Sequence, residues 1–188
     1  MRRLYEFQRA PWFAIHVRSR HEKLVAASLS SQGIECFLPL YRSTRNWSDR
    51  RKEVDLPLFP SYVFSSFDPR DHASILKSPG VVKVVSFGHE LAPVEPSELT
   101  HVQTILNSGL LILPWPSLAA GDRVYLEAGP LQGLEGVIVR TKGSLRLVVT
   151  VSLLQRSVSV EIDRDWVRPL TFRKPPAISY SVPRASGF

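Results

Sequence analysis

Apolar positions fill Trp12 to Val17 almost without interruption, and the run reads as a strand. From Arg20 to Gln32 the spacing changes. Leu24, Val25, Ala27 and Leu29 recur at helical intervals, and Gly33 supplies a left-handed stop, so the segment predicts a helix. A second strand follows over Ile34 to Leu40, and Tyr41 to Asp55 is charged, lacks a regular period and reads as irregular. Leu58 to Phe67 then alternates aromatic with small or aliphatic residues as a strand does, until Asp68-Pro69 breaks it. Asp71 to Lys77 predicts a short helix and Val81 to Phe87 a β-branched strand, and Pro96 opens a helix with Leu99, Val102 and Leu106 on one face. The order β-α-β-β-α-β-α predicts an α+β sandwich, an antiparallel sheet flanked by helices, ending near Asn107.

The pattern then breaks. Gly109 to Ala120 is an apolar connector in which Pro114 and Pro116 forbid a regular helix, so 108–119 reads as a stiff linker. Beyond it four short strands are expected, Val124 to Glu127, Gly136 to Arg140, Leu145 to Leu154 and Ser157 to Ile162, punctuated by glycines at 129, 133, 136 and 143. They predict a small β-barrel over 120–170. Residues 171–188 hold three prolines, three basic residues and no acid, a composition expected to stay disordered, and 1–9 reads as a flexible start before a domain at 10–107.

Composition narrows the class. Hydrophobic residues make up 44% and charged residues 22%, and no apolar run approaches the roughly 20 residues that span a bilayer, which predicts a soluble protein without a membrane partner. Arg2 and Arg3 give the start a positive charge, but Glu6, Gln8 and Arg9 interrupt any apolar stretch after them, unlike a secretory signal. Cys36 is the single cysteine, so no internal disulfide and no cysteine-based zinc site can form, and the cytoplasm is the expected compartment. The net charge of +7 suggests an anionic partner, because neutralising phosphates releases counterions.

Chemistry-bearing residues are sparse. The five histidines are scattered with no i, i+4 pair beside a carboxylate, so no metal site is expected. Cys36 lies between apolar neighbours as a small buried hydrophobe, and the glycines from 129 to 136 lack the Gly-Lys-Ser/Thr of a phosphate loop. No catalytic residue, cofactor or enzymatic activity is expected. Two clusters stand out. In Leu58-Phe59-Pro60-Ser61-Tyr62-Val63-Phe64, alternation puts Tyr62 and Phe64 on one side and Phe59 and Val63 on the other, so one apolar side is free for a partner. The second is basic: Arg42, Arg45, Arg50, Arg51 and Lys52 around Trp47, with Arg18 and Arg20 after the first strand, suited to phosphate contact and base stacking.

Trp12-Phe13-Ala14-Ile15-His16-Val17, Leu58 to Phe64 and Ser78-Pro79-Gly80-Val81 together resemble, in order and spacing, the N-terminal (NGN) domain of NusG-type transcription factors. Gly121-Asp122-Arg123-Val124, Gly129-Pro130-Leu131, Gly133-Leu134-Glu135-Gly136-Val137 and Val151 to Arg156 resemble the KOW barrel that follows it there. The resemblance implies an elongation factor that binds the clamp helices of RNA polymerase and suppresses pausing or termination. The charged segment at 41–55 and the proline-bearing linker favour a specialised, RfaH-like antiterminator.

By the same resemblance Tyr62 and Phe64 are the polymerase anchors, Val84 flanks them, and His72 and Ser74 reach the opposite polymerase wall. Arg18, Arg20 and His21 would touch non-template DNA, joined by Arg45 and Arg50 of the basic segment. Leu131, Leu134, Leu153, Leu154 and Arg156 would bind ribosomal protein S10 or Rho, and the protein would act as a monomer. The β-branched run Leu147 to Val151 and the serine-rich Ser157 to Val160 argue against a helical alternative for the barrel. The competing reading is a ribosome- or RNA-binding protein that shares only the KOW barrel.

Overall fold

The structure is a computed structural model describing residues 5–7, 10–47, 50–115, 121–141 and 144–169. The first half runs β1 (Trp12–Val17), α1 (Glu22–Ser31), β2 (Glu35–Phe37), β3 (Leu40–Trp47), β4 (Arg50–Pro57), β5 (Tyr62–Ser66), α2 (His72–Leu76), β6 (Val81–Val84), β7 (Ser86–Phe87), β8 (Glu90–Leu91), β9 (Pro93–Val94) and α3 (Pro96–Asn107). Its antiparallel sheet has the order β2-β5-β1-β6, with β9 also paired to β1. Thus β1, the most apolar strand, lies inside the sheet.

The segment expected to be irregular is instead a long ribbon. β3 and β4 pair from Leu40↔Pro57 at the base to Trp47↔Arg50 at the tip. Apolar spacing misses it because its pairs are largely polar: Arg42 faces Asp55 and Thr44 faces Glu53, while Arg42 also reaches Glu53 at 3.6 Å. The strand expected over Val81 to Phe87 divides into β6 and β7, and β7 turns back on β8 as a small hairpin.

Helices α1 and α2 cover one face of the sheet, where Val25, Leu29 and Ile75 pack on Phe13, Ile15, Val63 and Val84. The other face carries Trp12, Ala14, Phe37 and Phe64 against Leu99, Val102 and Ile105 of α3. The expected loose start also belongs to this layer: Phe7 is buried, and the Tyr5 and Phe7 rings lie 5.0–5.7 Å from those of Trp12 and Phe37. Aromatic area of that size is worth more buried than exposed.

Phe59 differs from expectation as well. It shares the core face of Phe64, with the rings edge to face at 5.5 Å, while Val63 faces the helices α1 and α2. Simple alternation fails because Ser61, between them, adopts φ +68° and shifts the side-chain phase.

The second half holds β10 (Ile112–Trp115), β11 (Asp122–Leu126), β12 (Glu135–Thr141), β13 (Ser144–Val151), β14 (Arg156–Ile162) and β15 (Val167–Pro169). They form an antiparallel sheet of order β10-β14-β13-β12-β11-β15, all-β as expected. The connector contributes β10, which pairs with β14 from Ile112↔Val160 to Trp115↔Ser157. Pro114 is tolerated because β10 is an edge strand. At Gly136 a Cβ would lie 2.8 Å from Leu147 Cδ1 and 2.9 Å from the Val148 carbonyl, so β12 can approach β13 only with glycine there. Gly129, at φ +79°, lies under the Trp166 ring. The tail at 171–188 lies outside the described residues.

Candidate functional site

Tyr62 begins β5 directly opposite His16 of β1, and their rings stand 5.3 Å apart. It is half-buried, whereas Phe64, two residues on, has no exposed surface and packs between Phe37 and Phe59. Phe64 is therefore core, correcting the expectation of an anchor, because the same face that carries Tyr62 at its rim is filled at Phe64 by neighbouring aromatics. Val84 is also buried, on the opposite face under α1 and α2, and cannot flank Tyr62. His16 Nδ1 is buried without a hydrogen-bond partner among the described residues.

What covers Tyr62 comes from the second half of the chain. The Arg156 guanidinium lies over the ring, 5.3 Å from its centroid. Beside it the Glu98 carboxylate of α3 accepts the Ser152 backbone N–H, at 3.1 and 3.2 Å from its two oxygens. Helix α3 packs on β13, and one buried cluster runs from Trp12 and Leu99 through Val151 to Val160. His101 of α3 is half-buried near this contact. Loss of solvent pushes its imidazole below the ordinary value, against Glu135 of β12 and Glu98, which favour the charged form.

The residues expected to form one partner surface on the second sheet are divided. Leu131 and Leu134 are core, with 0% and 5% exposure, because the turn between β11 and β12 folds inward beneath that sheet. Leu153 and Leu154 are half-buried in the turn between β13 and β14, next to exposed Arg156. Gln155, at φ +50°, closes that turn.

Arg18, Arg20 and His21 do come together, in the loop joining β1 to α1. The Arg18 N–H donates to the Gly80 carbonyl at 2.8 Å, and Arg20 is exposed in the left-handed region at φ +65°. Gly80 adopts φ +93°, a conformation that favours glycine, and a Cβ there would lie 3.0 Å from Val25 Cγ2 and 3.3 Å from the His21 ring. Arg45 and Arg50 lie elsewhere, on the ribbon, at positions paired with Lys52 and Trp47. His72 and Ser74 are on α2, where His72 borders a hollow of about 470 Å³ lined also by Phe13, His89, Glu90 and Leu91, and Ser74 is exposed.

Burial pushes the Cys36 thiol up, with the Ser65 hydroxyl 3.5 Å away acting the other way, so the sulfur is not an activated nucleophile. No group of three or more histidine, cysteine, aspartate or glutamate side chains is placed to hold a metal among the described residues. No helix among them is long and apolar enough to cross a membrane.

The family model described as transcription termination factor NusG matches residues 10–103, half of the chain. The chain belongs to the NusG family. Its members are non-enzymatic transcription factors with roles in elongation and termination, and this chain is one of them. Among solved structures it is similar to NusG of Thermotoga maritima, described by its domain interaction, at 19% identity and a TM-score of 0.55, covering 88% of this chain and all of that one. That likeness shows a NusG-like fold. A second match, the MjSpt4:Spt5 complex, has 15% identity and a TM-score of 0.27 over 85% of this chain and 98% of that one.

For this NusG-family chain, sequence reasoning missed Glu98, Ser152, His16 and Glu22. The Glu98–Ser152 contact joins residues 54 positions apart, and no local pattern announces such a pair.

Proposed function

We propose that the protein is a transcription elongation factor that docks on the clamp helices of RNA polymerase through the sheet rim at Tyr62 and suppresses pausing or termination as a specialised antiterminator. The observation that carries this is the state of Tyr62: an aromatic at the rim of an otherwise filled face, capped by one exposed arginine. Aromatic anchors in such patches dominate protein–protein affinity. Because Arg156 and the Ser152 turn occupy the rim, polymerase and the second sheet compete for it. Leu153, Leu154 and Arg156, released by that competition, form the surface for a second factor such as ribosomal protein S10. Arg18, Arg20 and His21 suit contact with the exposed DNA strand.

The test is capture of core RNA polymerase by the intact protein and by Tyr62→Ala and Arg156→Ala. Tyr62→Ala is expected to abolish capture. Arg156→Ala is expected to raise it about two- to fivefold, since an exposed cation–π contact is worth roughly 0.5–1 kcal/mol. Loss of binding to neither variant, with no gain for Arg156→Ala, rejects the docking site. Steep weakening of all binding with rising salt, insensitive to Tyr62, would favour the RNA-binding alternative, to which the basic loop lends support.

A further inference from the structure

Among the described residues Glu22 is the one charged side chain that is buried, at 5% exposure. It opens α1, on the side of the sheet away from the covered rim, and none of the roles above uses it. A carboxylate is withdrawn from water at high cost unless donors are aimed at it. Here its Oε1 accepts the backbone N–H of Ser61 at 2.8 Å.

Ser61 is where the chain does something a non-glycine residue resists. Its φ of +68° lies in the left-handed region. The turn is held from several directions: the Val17 N–H donates to the Ser61 carbonyl at 2.9 Å, and the Tyr62 N–H closes back on the Phe59 carbonyl at 3.1 Å. This turn shifts the side-chain phase that puts Phe59 and Phe64 on one face. A one-residue shift in a strand sends each side chain to the opposite face, so the same turn decides that Tyr62 stands on the rim beside His16.

We propose that Glu22 is a positioning residue for partner docking: its carboxylate holds Ser61 in the left-handed turn that presents Tyr62. The inference rests on the docking reading above. It assigns Glu22 an effect on polymerase binding though the residue lies behind the sheet, and it makes the effect conditional on the residue at position 61. Glutamine keeps an acceptor oxygen for the Ser61 N–H. Glycine at 61 adopts the left-handed conformation without help.

The test measures the affinity of the full-length chain for core RNA polymerase, with thermal unfolding followed by circular dichroism on each variant. Glu22→Ala is expected to weaken binding about tenfold, the order of factor that an unsupported left-handed residue costs. Glu22→Gln is expected to bind as the wild type, and Glu22→Ala/Ser61→Gly to recover most of the loss. Wild-type affinity for Glu22→Ala, or a loss that Ser61→Gly does not restore, overturns the inference. Tyr62→Ala is run alongside. If it loses binding while Glu22→Ala does not, the positioning role fails and the docking site stands; if Tyr62→Ala binds normally, both fail. Should Glu22→Ala not fold, hydrogen exchange on the wild-type chain decides: the Ser61 amide is expected to be protected, and fast exchange there overturns the proposal.

Discussion

Tyr62 and Phe64 are two residues apart on one strand and on one face, yet their surroundings give them different work. Phe64 is enclosed by Phe37 and Phe59, whereas Tyr62 meets His16 on one side and a removable arginine on the other. Truncation should separate the two roles. Phe64→Ala is expected to cost about 3–5 kcal/mol of folding stability, the range for deleting a buried ring, and Tyr62→Ala about 1 kcal/mol. Urea unfolding of both variants checks this, with a lower midpoint and unchanged slope as the expected result for Phe64→Ala. The aromatic cluster was plain in the sequence. Its division into core and rim was not, because the left-handed Ser61 that resets the alternation is a serine, and serine does not advertise φ > 0 as glycine does.

Among elements, those with strong apolar periodicity were legible: β1 lies at its expected bounds, and α3 begins at the expected proline and buries the expected Leu99, Val102 and Leu106. The ribbon of β3 and β4 was illegible for a physical reason. Arg42 pairs with Asp55 and Thr44 with Glu53, Arg42 also reaches Glu53, and this polar pairing gives the sequence no apolar period. Likewise β10 was read as part of a connector because Pro114 suppresses a strand prediction, although an edge position accepts it. In the second sheet Gly136 carries the tightest packing of β12 on β13. Gly136→Val is expected to destabilise the protein by about 1–3 kcal/mol through overpacking against Leu147 and the Val148 carbonyl, read as a lower denaturation midpoint.

At the scale of the whole molecule, the contact between the two halves carries a titrating group. Desolvation in the closed arrangement depresses the His101 imidazole, with the Glu135 and Glu98 carboxylates opposing. Arg123 lies 3.5 Å from Glu135, and the Glu98 carboxylate is engaged by the Ser152 N–H. A base whose pKa falls on docking favours the docked form when neutral. That contribution is fully present above the ordinary histidine value near 6.5 and is lost as pH falls through and below it. The radius of gyration from solution scattering is expected to grow as pH drops from about 7.5 to about 5.5, and His101→Gln is expected to flatten that change. None of this could be read from the sequence, where His101 is one of five scattered histidines and Glu135 lies on a strand far along the chain.

Strand β10 has a mechanical consequence. Between the end of α3 at Asn107 and the first residue of β10 only positions 108–111 remain. Four residues fully extended reach about 14 Å, so while β10 stays zipped to β14 the second half swings on a short leash and returns readily to the rim. Unzipping Ile112–Trp115 lengthens the leash to positions 108–121, about 50 Å at full extension, and bares the β14 backbone in the same motion. The strand that finishes the second sheet thus also sets how far that sheet can travel.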